Sequence, residues 1–311
     1  MSNLSFESRS DEQLAHGETD SSEKELENWL KELKSAPQRV YYDATADAEQ
    51  REEYYKDFLS EQEKFNPAQR YQGLHELLSR THRNKLSYSP AQHLYPWVDL
   101  HPDLKLQSIY SKRELDPEAL IQADRRADQI RQVRSQELRL RKTLLSPERL
   151  ERELELLEAS LPYNCEHVVP QSWFNKKNPM RGDLHHLFAC ETACNSFRGN
   201  IPYYDFPDYK NNIRDACGKR SENKFEPTGG KGATARATLY FLLRYPDEID
   251  DNSREYQSER LEILLNWHQI HPVTEYERHR NAAIFEKQGN RNPLIDYPEW
   301  AEQIDFRQGL G

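Results

Sequence analysis

Three residues in one stretch of the chain have the side-chain types that phosphodiester hydrolysis requires. Glu166 and His167 are adjacent in Tyr163-Asn-Cys-Glu-His-Val-Val-Pro-Gln-Ser-Trp-Phe174, and Asn195 follows in Cys194-Asn-Ser-Phe-Arg198-Gly-Asn200. An attacking water loses a proton, and an imidazole titrating near neutrality can take it. The leaving sugar oxygen gains negative charge, which a hard divalent cation stabilises. Mg²⁺ prefers oxygen ligands, takes few from the protein and keeps several waters. Glu166 and Asn195 offer one carboxylate and one amide oxygen, and His167 offers the base. Each residue also has a plainer use: a Glu-His pair often serves a core, and an asparagine often caps a helix. With Asp183-Leu-His185-His186 between the two segments, a zinc site of His167, His185 and His186 is a further alternative.

The elements around these residues must bring them together. Neighbouring side chains on a strand point to opposite faces, so Glu166 and His167 can serve one phosphate only where the strand ends or twists. Pro170 predicts an early strand end. Asn195 would then approach from a following helix, a β-β-α arrangement around one metal.

Further from this centre, residues 1–37 are rich in Ser, Glu and Asp and read as a disordered acidic tail. Within them Leu26, Trp29, Leu30 and Leu33 have the spacing of a short helix. A helical pattern runs from Tyr41 to Leu78, restarting at Asn66-Pro67. Prolines at 90, 96 and 102 predict short strands or irregular packing over 85–111. Asp116-Pro117 and Ser146-Pro147 are two helix-start signals, so 116–159 reads as a charged helical hairpin. Helices are expected over 232–245 and, broken at His271-Pro272, over 254–287. The fold class expected is α+β, mostly helical, with residues 38–311 as one domain.

The formal net charge is −10, which taken alone argues against a nucleic-acid partner. The charge is uneven, however. Residues 1–37 hold nine acidic and four basic side chains, whereas residues 160–245 hold twelve basic and eight acidic. The segment with the candidate chemistry is the one able to meet phosphates. No apolar run approaches the length of a membrane span, and no basic stretch followed by an apolar one marks a secretory signal. A cytoplasmic location is the default expectation.

Several segments together resemble the endonuclease I nucleases, a group with periplasmic and secreted bacterial members of the ββα-metal class. They are Glu166-His-Val-Val-Pro-Gln-Ser-Trp-Phe, Asp183-Leu-His-His-Leu-Phe, Asn195-Ser-Phe-Arg-Gly-Asn, Lys231-Gly-Ala-Thr-Ala-Arg-Ala and Gln288-Gly-Asn-Arg-Asn-Pro-Leu-Ile-Asp-Tyr-Pro-Glu-Trp300. The resemblance implies a ββα-metal core with helical surroundings. It implies His167 as the residue that activates water, with Glu166 and Asn195 as ligands of Mg²⁺, for which Mn²⁺ or Ca²⁺ substitutes. It places Arg198 and Asn200 at the metal loop or phosphate and His185 in a supporting role that orients the site. Arg181 and Lys177 are phosphate contacts by position and charge. The implied substrate is DNA, with RNA as a second, cut with little sequence preference. Secreted or periplasmic location becomes the alternative to the cytoplasm. Against this pattern, the 116–159 hairpin reads as an insertion.

Two other functions compete with an Mg²⁺-dependent nuclease. One is a nucleic-acid-binding module without catalysis, the other a zinc hydrolase of another substrate. Cys165, Cys190, Cys194 and Cys217 all fall around the candidate site. Two disulfides are expected in an oxidising compartment; a structural Zn²⁺ on four thiolates and four free thiols are the alternatives.

Overall fold

The computed structural model describes residues 23–140, 165–209, 215–249 and 258–310, with residues 146, 149, 150, 152, 153 and 156 between them. Helix α1 covers residues 23–35. Next come α2 (Ala44–Glu61), α3 (Pro67–Thr81) and the short α4 (Pro90–His93). A strand pair β1 (Leu106–Gln107) and β2 (Glu114–Leu115) leads into α5 (Pro117–Leu140). Strands β3 (Cys165–His167) and β4 (Leu187–Ala189) are followed by helix α6 (Thr192–Arg198) and the hairpin β5 (Gly218–Ser221) and β6 (Lys224–Pro227). The chain closes with α7 (Lys231–Arg244), α8 (Ser258–Ile270), α9 (Glu275–Gln288) and α10 (Pro293–Asp296). Among the described residues the fold is mostly helical with three antiparallel strand pairs, as an α+β reading requires.

Local sequence explains many of the boundaries. Asn66 caps α3 by accepting from the Gln69 amide, and the Gln69 side chain returns the bond. Asp116 accepts from the Ala119 amide at the start of α5. Ser146 receives a bond from the Arg149 amide at 3.3 Å, although most of the second helix of the expected hairpin lies outside the described residues. Pro272 separates α8 from α9, whose Thr274 and Glu277 form a reciprocal cap. The expected disordered tail needs correction. Residues 23–35 are helical, with Trp29 buried and Leu26, Leu30 and Leu33 packed on a core cluster. That apolar stripe outweighs the acidic composition; residues 1–22 lie outside the described residues.

Two hydrophobic clusters meet at β4. Phe188 belongs to the larger one, with Leu239, Phe241 and Leu242 of α7, Trp267 of α8 and Tyr71 and Leu74 of α3. Leu187 and Ala189 belong to the other, with Leu94, Tyr95, Ile121 and Ile284. This is strand alternation: successive side chains enter different cores. Asp99 holds the strand by accepting from the Ala189 amide at 2.6 Å. Arg280, buried and paired with Asp99, donates to the carbonyls of Leu184 at 3.0 Å and Leu187 at 2.8 Å.

Candidate active site

Strand β3 pairs antiparallel with β4 in the register Cys165 with Ala189, Glu166 with Phe188 and His167 with Leu187. Regular pairing stops at His167, so the strand end falls where the acid and the imidazole stand, as Pro170 predicted. Helix α6 follows β4 and lays Asn195 against β3: its Nδ2 donates to the Cys165 carbonyl at 3.0 Å. Arg198, three residues further on, ties the strand end. Its Nη1 donates to Glu166 Oε1 at 2.9 Å and to the His167 carbonyl at 3.2 Å, and its Nη2 to the Val168 carbonyl at 2.9 Å. Glu166, His167, Asn195 and Arg198 are thus gathered around one strand end.

Glu166 is 1% exposed. Burial pushes its carboxyl up to about 7, while Arg198 and a 2.8 Å hydrogen bond from Tyr110 act in the opposite direction. Both of these bonds are made to Oε1. Oε2 takes part in neither. For Asn195, the bond to Cys165 commits the amide nitrogen and identifies Oδ1 as the atom of hard-ligand type. A carboxylate oxygen and an amide oxygen suit a hard divalent cation, and a cation at Oε2 would favour the ionised carboxylate.

His167 is oriented by one bond. Its Nε2 lies 2.9 Å from the Arg181 carbonyl oxygen, which can only accept, so Nε2 carries the hydrogen and Nδ1 is the basic nitrogen. Burial first, then the neighbouring His186, lowers its pKa well below the usual histidine value. The ring is neutral at pH 7. Tyr88 covers it, ring centroids 4.9 Å apart, and the Arg181 guanidinium lies over Tyr88 at 5.2 Å. The Tyr88 and Arg181 segments touch through Gly182, where a Cβ would lie 2.0 Å from the Leu86 carbonyl oxygen. Only glycine permits that approach.

The two adjacent histidines separate. His186 meets His167, ring centroids 5.4 Å apart, and its Nε2 is bonded to the Met180 carbonyl. The His185 ring lies tilted against Tyr240, centroids 4.3 Å apart, and its Nε2 faces the Asn290 carbonyl at 3.2 Å. No hydrogen bond of His185 reaches Glu166, His167 or Asn195. His167, His185 and His186 engage three different carbonyls and do not converge, so the three-histidine zinc alternative is not assembled. Asp183 sits behind them, accepting from Tyr240 and Tyr245 at 2.8 Å each, from Gln288 at 3.0 Å and from the His185 amide at 3.0 Å. Of the expected phosphate contacts, Arg181 lies beside His167, whereas Lys177 pairs with Glu248 at 3.0 Å. Asn200 is exposed immediately after Gly199.

The cysteines also differ from expectation. Cys194 is bonded to Cys217, while Cys165 and Cys190 are buried free thiols. Cys165 faces Ala189 in the register, so Cys190, one residue on, presents its side chain to the opposite face. A second bridge is blocked by that parity, and a four-thiolate zinc site by the first bridge. Among the described residues, the one group with metal-ligand spacing is Glu191, Cys194 and Cys217, which contains the disulfide. Sequence reasoning missed Tyr110 and Tyr88, and gave His186 only as part of the zinc alternative.

The model of the Endonuclease I family matches residues 74–299, well over half of the chain. The chain belongs to the Endonuclease I family. Among curated relatives, an extracellular ribonuclease of Bacillus subtilis (strain 168) is 37% identical over 158 residues, which cover 46% of this chain and 54% of the relative. An extracellular deoxyribonuclease of Aeromonas hydrophila is 30% identical over 154 residues, covering 42% of this chain and 64% of that protein. A periplasmic deoxyribonuclease of the same organism is 30% identical over 124 residues, covering 38% and 49%. The chain spans about half the length of the first and last of these relatives and less than two thirds of the second. These names give no support to a cytoplasmic default. Among the described residues no helix is long and apolar enough to cross a membrane. Endonuclease I membership points to a divalent metal cofactor.

Proposed function

We propose that this Endonuclease I chain is a divalent-metal-dependent endonuclease that hydrolyses phosphodiester bonds, with a ββα-metal core formed by β3, β4 and α6. The observation that carries the reading is the His167 contact: an Nε2–H held by the Arg181 carbonyl beside Glu166 gives a neutral imidazole whose Nδ1 is the proton acceptor. His167 takes a proton from the attacking water at Nδ1. Glu166 Oε2 and Asn195 Oδ1 would hold Mg²⁺, or Mn²⁺ or Ca²⁺ in its place. The bound cation supplies charge stabilisation for the leaving oxygen. Arg198 fixes the strand end that carries both Glu166 and His167, and Arg181 stands where a phosphate would approach the base. His185 acts through the Asp183 network that backs the site.

The substrate we infer is nucleic acid, DNA and also RNA, cut with little sequence preference; relatives named for each support both. The Cys194–Cys217 bridge and the names of the relatives support an oxidising compartment, periplasmic or extracellular. Closed-circular DNA and a structured RNA incubated with Mg²⁺, with Zn²⁺ alone or with EDTA test the reading. Internal cleavage of either polymer in Mg²⁺, abolished by EDTA, is expected. Binding without cleavage in every metal would instead indicate a silent nucleic-acid-binding module.

A further inference from the structure

Tyr110 and Tyr203 belong to none of the segments that suggest the chemistry, yet both reach it. Tyr110 lies 56 positions before Glu166 and donates its hydroxyl to Oε1 at 2.8 Å. Its oxygen is 2.7 Å from the Tyr203 hydroxyl. A phenol has one proton to give. Tyr110 spends it on the carboxylate, so Tyr203 must donate the second bond. The order of donation is therefore Tyr203 to Tyr110 to Glu166. Both tyrosines are buried, so no bulk water replaces a missing hydroxyl.

The backbones of the two tyrosines are fastened separately. Ile109 donates to the Ala189 carbonyl of β4 at 3.0 Å, and the Tyr110 carbonyl accepts from Gly229 at 2.7 Å. Tyr203 forms a parallel bridge with Phe225 of β6, and the Phe225 ring meets Tyr110 edge-on at 5.1 Å. The hydroxyls are thus set by β4 and β6, not by the strand that carries Glu166. Arg198 also donates to Oε1, but its guanidinium is shared with the carbonyls of His167 and Val168. It anchors the strand end. A second donor on the same oxygen, arriving from another element, fixes the rotation of the carboxylate and turns Oε2 away from both.

We propose that Tyr110 and, through it, Tyr203 are positioning residues that hold the Glu166 carboxylate in the orientation a divalent cation requires; this rests on reading Glu166 as a metal ligand. Neither touches the substrate. Removal of either hydroxyl acts first on metal affinity and only through it on cleavage.

The test is Mn²⁺ binding by titration calorimetry, without substrate, on the full-length wild type, Glu166→Gln, Tyr110→Phe and Tyr203→Phe. Thermal midpoints are measured alongside. Tyr110→Phe should weaken Mn²⁺ binding about tenfold, the scale of one hydrogen bond to a charged group. Tyr203→Phe should weaken it roughly threefold, since it acts through one intervening hydroxyl. Saturating Mn²⁺ should restore most of the single-turnover rate in both. Tyr203→Phe keeps the test open should Tyr110→Phe fold poorly. Wild-type Mn²⁺ affinity in folded Tyr110→Phe and Tyr203→Phe, with binding lost in Glu166→Gln, overturns the positioning role alone. Undiminished binding in Glu166→Gln overturns the ligand assignment beneath it.

Discussion

At the scale of single residues, the site depends on which atom of each side chain is already engaged. Glu166 gives Oε1 to Tyr110 and Arg198; Asn195 gives Nδ2 to Cys165; His167 gives Nε2 to Arg181. The chemistry we propose falls on the other atoms: Glu166 Oε2, Asn195 Oδ1 and His167 Nδ1. Glu166→Gln and Asn195→Ala should therefore each raise the Mg²⁺ concentration needed for half-maximal cleavage, because so few protein oxygens serve the cation. Activity titrations with Mg²⁺ measure this, and identical curves for wild type and both variants would move the metal elsewhere. These three residues were legible because they lie in compact segments whose types match the chemistry. The division of labour between His185 and His186 was not. Two neighbouring histidines look alike in sequence, and only the turn at residues 184–186 decides that His186 meets the base. Tyr110 and Tyr203 were invisible for a different reason: their approach to Glu166 is set by the pairing of distant strands.

At the scale of elements, helix α6 is only seven residues long, too short to be stable by itself. It carries Asn195 and Arg198, and Cys194 ties it to Cys217 beside β5 across a separation of 23 residues. Closing a loop of that size lowers unfolded-state entropy by about 3 kcal/mol at 25 °C. The double variant Cys194→Ser, Cys217→Ser should lose about that much stability in urea denaturation, and reduction of the wild type should give a similar loss. No change in either would show that α6 is held by packing alone. Asp183 plays the corresponding part behind the strand pair. Burial opposes its charge, but His82, His185 and His186 together with its hydrogen bonds more than offset this and hold the carboxyl well below the usual range. Its folded pKa is thus below the unfolded value of ~3.9. The associated stability is complete above that pH and is lost as pH falls towards the folded pKa. The melting-temperature gap between wild type and Asp183→Asn should be widest near pH 7 and narrow below pH 4; a gap independent of pH would contradict this. The caps at Asn66, Asp116 and Ser146 were readable because they are local. Strands β2, β5 and β6 were not, since two to four residues are too few for a periodicity to register, whereas β1 falls inside the 85–111 segment expected to hold short strands or irregular packing. The disulfide partner was equally hidden, because it depends on where helix α6 and the residue before β5 meet in space.

At the scale of the whole molecule, a net charge of −10 has to coexist with the polyanionic substrate we propose. The charge is uneven along the chain: residues 160–245, which hold the strand pair and the hairpin, carry twelve basic and eight acidic side chains, so the net negative charge lies outside them. Nucleic-acid affinity should still fall steeply with added salt, each phosphate contact contributing ~0.9 to the log–log slope on duplex DNA. Fluorescence anisotropy across a salt series in Ca²⁺ or EDTA measures it, and a flat response with binding intact would remove the 160–245 segment as the footprint. The one experiment that bears most directly on the whole account is single-turnover cleavage of closed-circular DNA in Mg²⁺ by wild type and by His167→Ala. The variant should keep the wild-type melting temperature and DNA affinity while its cleavage rate falls by ~10²–10⁴-fold, the range for losing a general base. A folded His167→Ala protein that cuts at the wild-type rate would contradict the assignment of His167, and with it the proposed site.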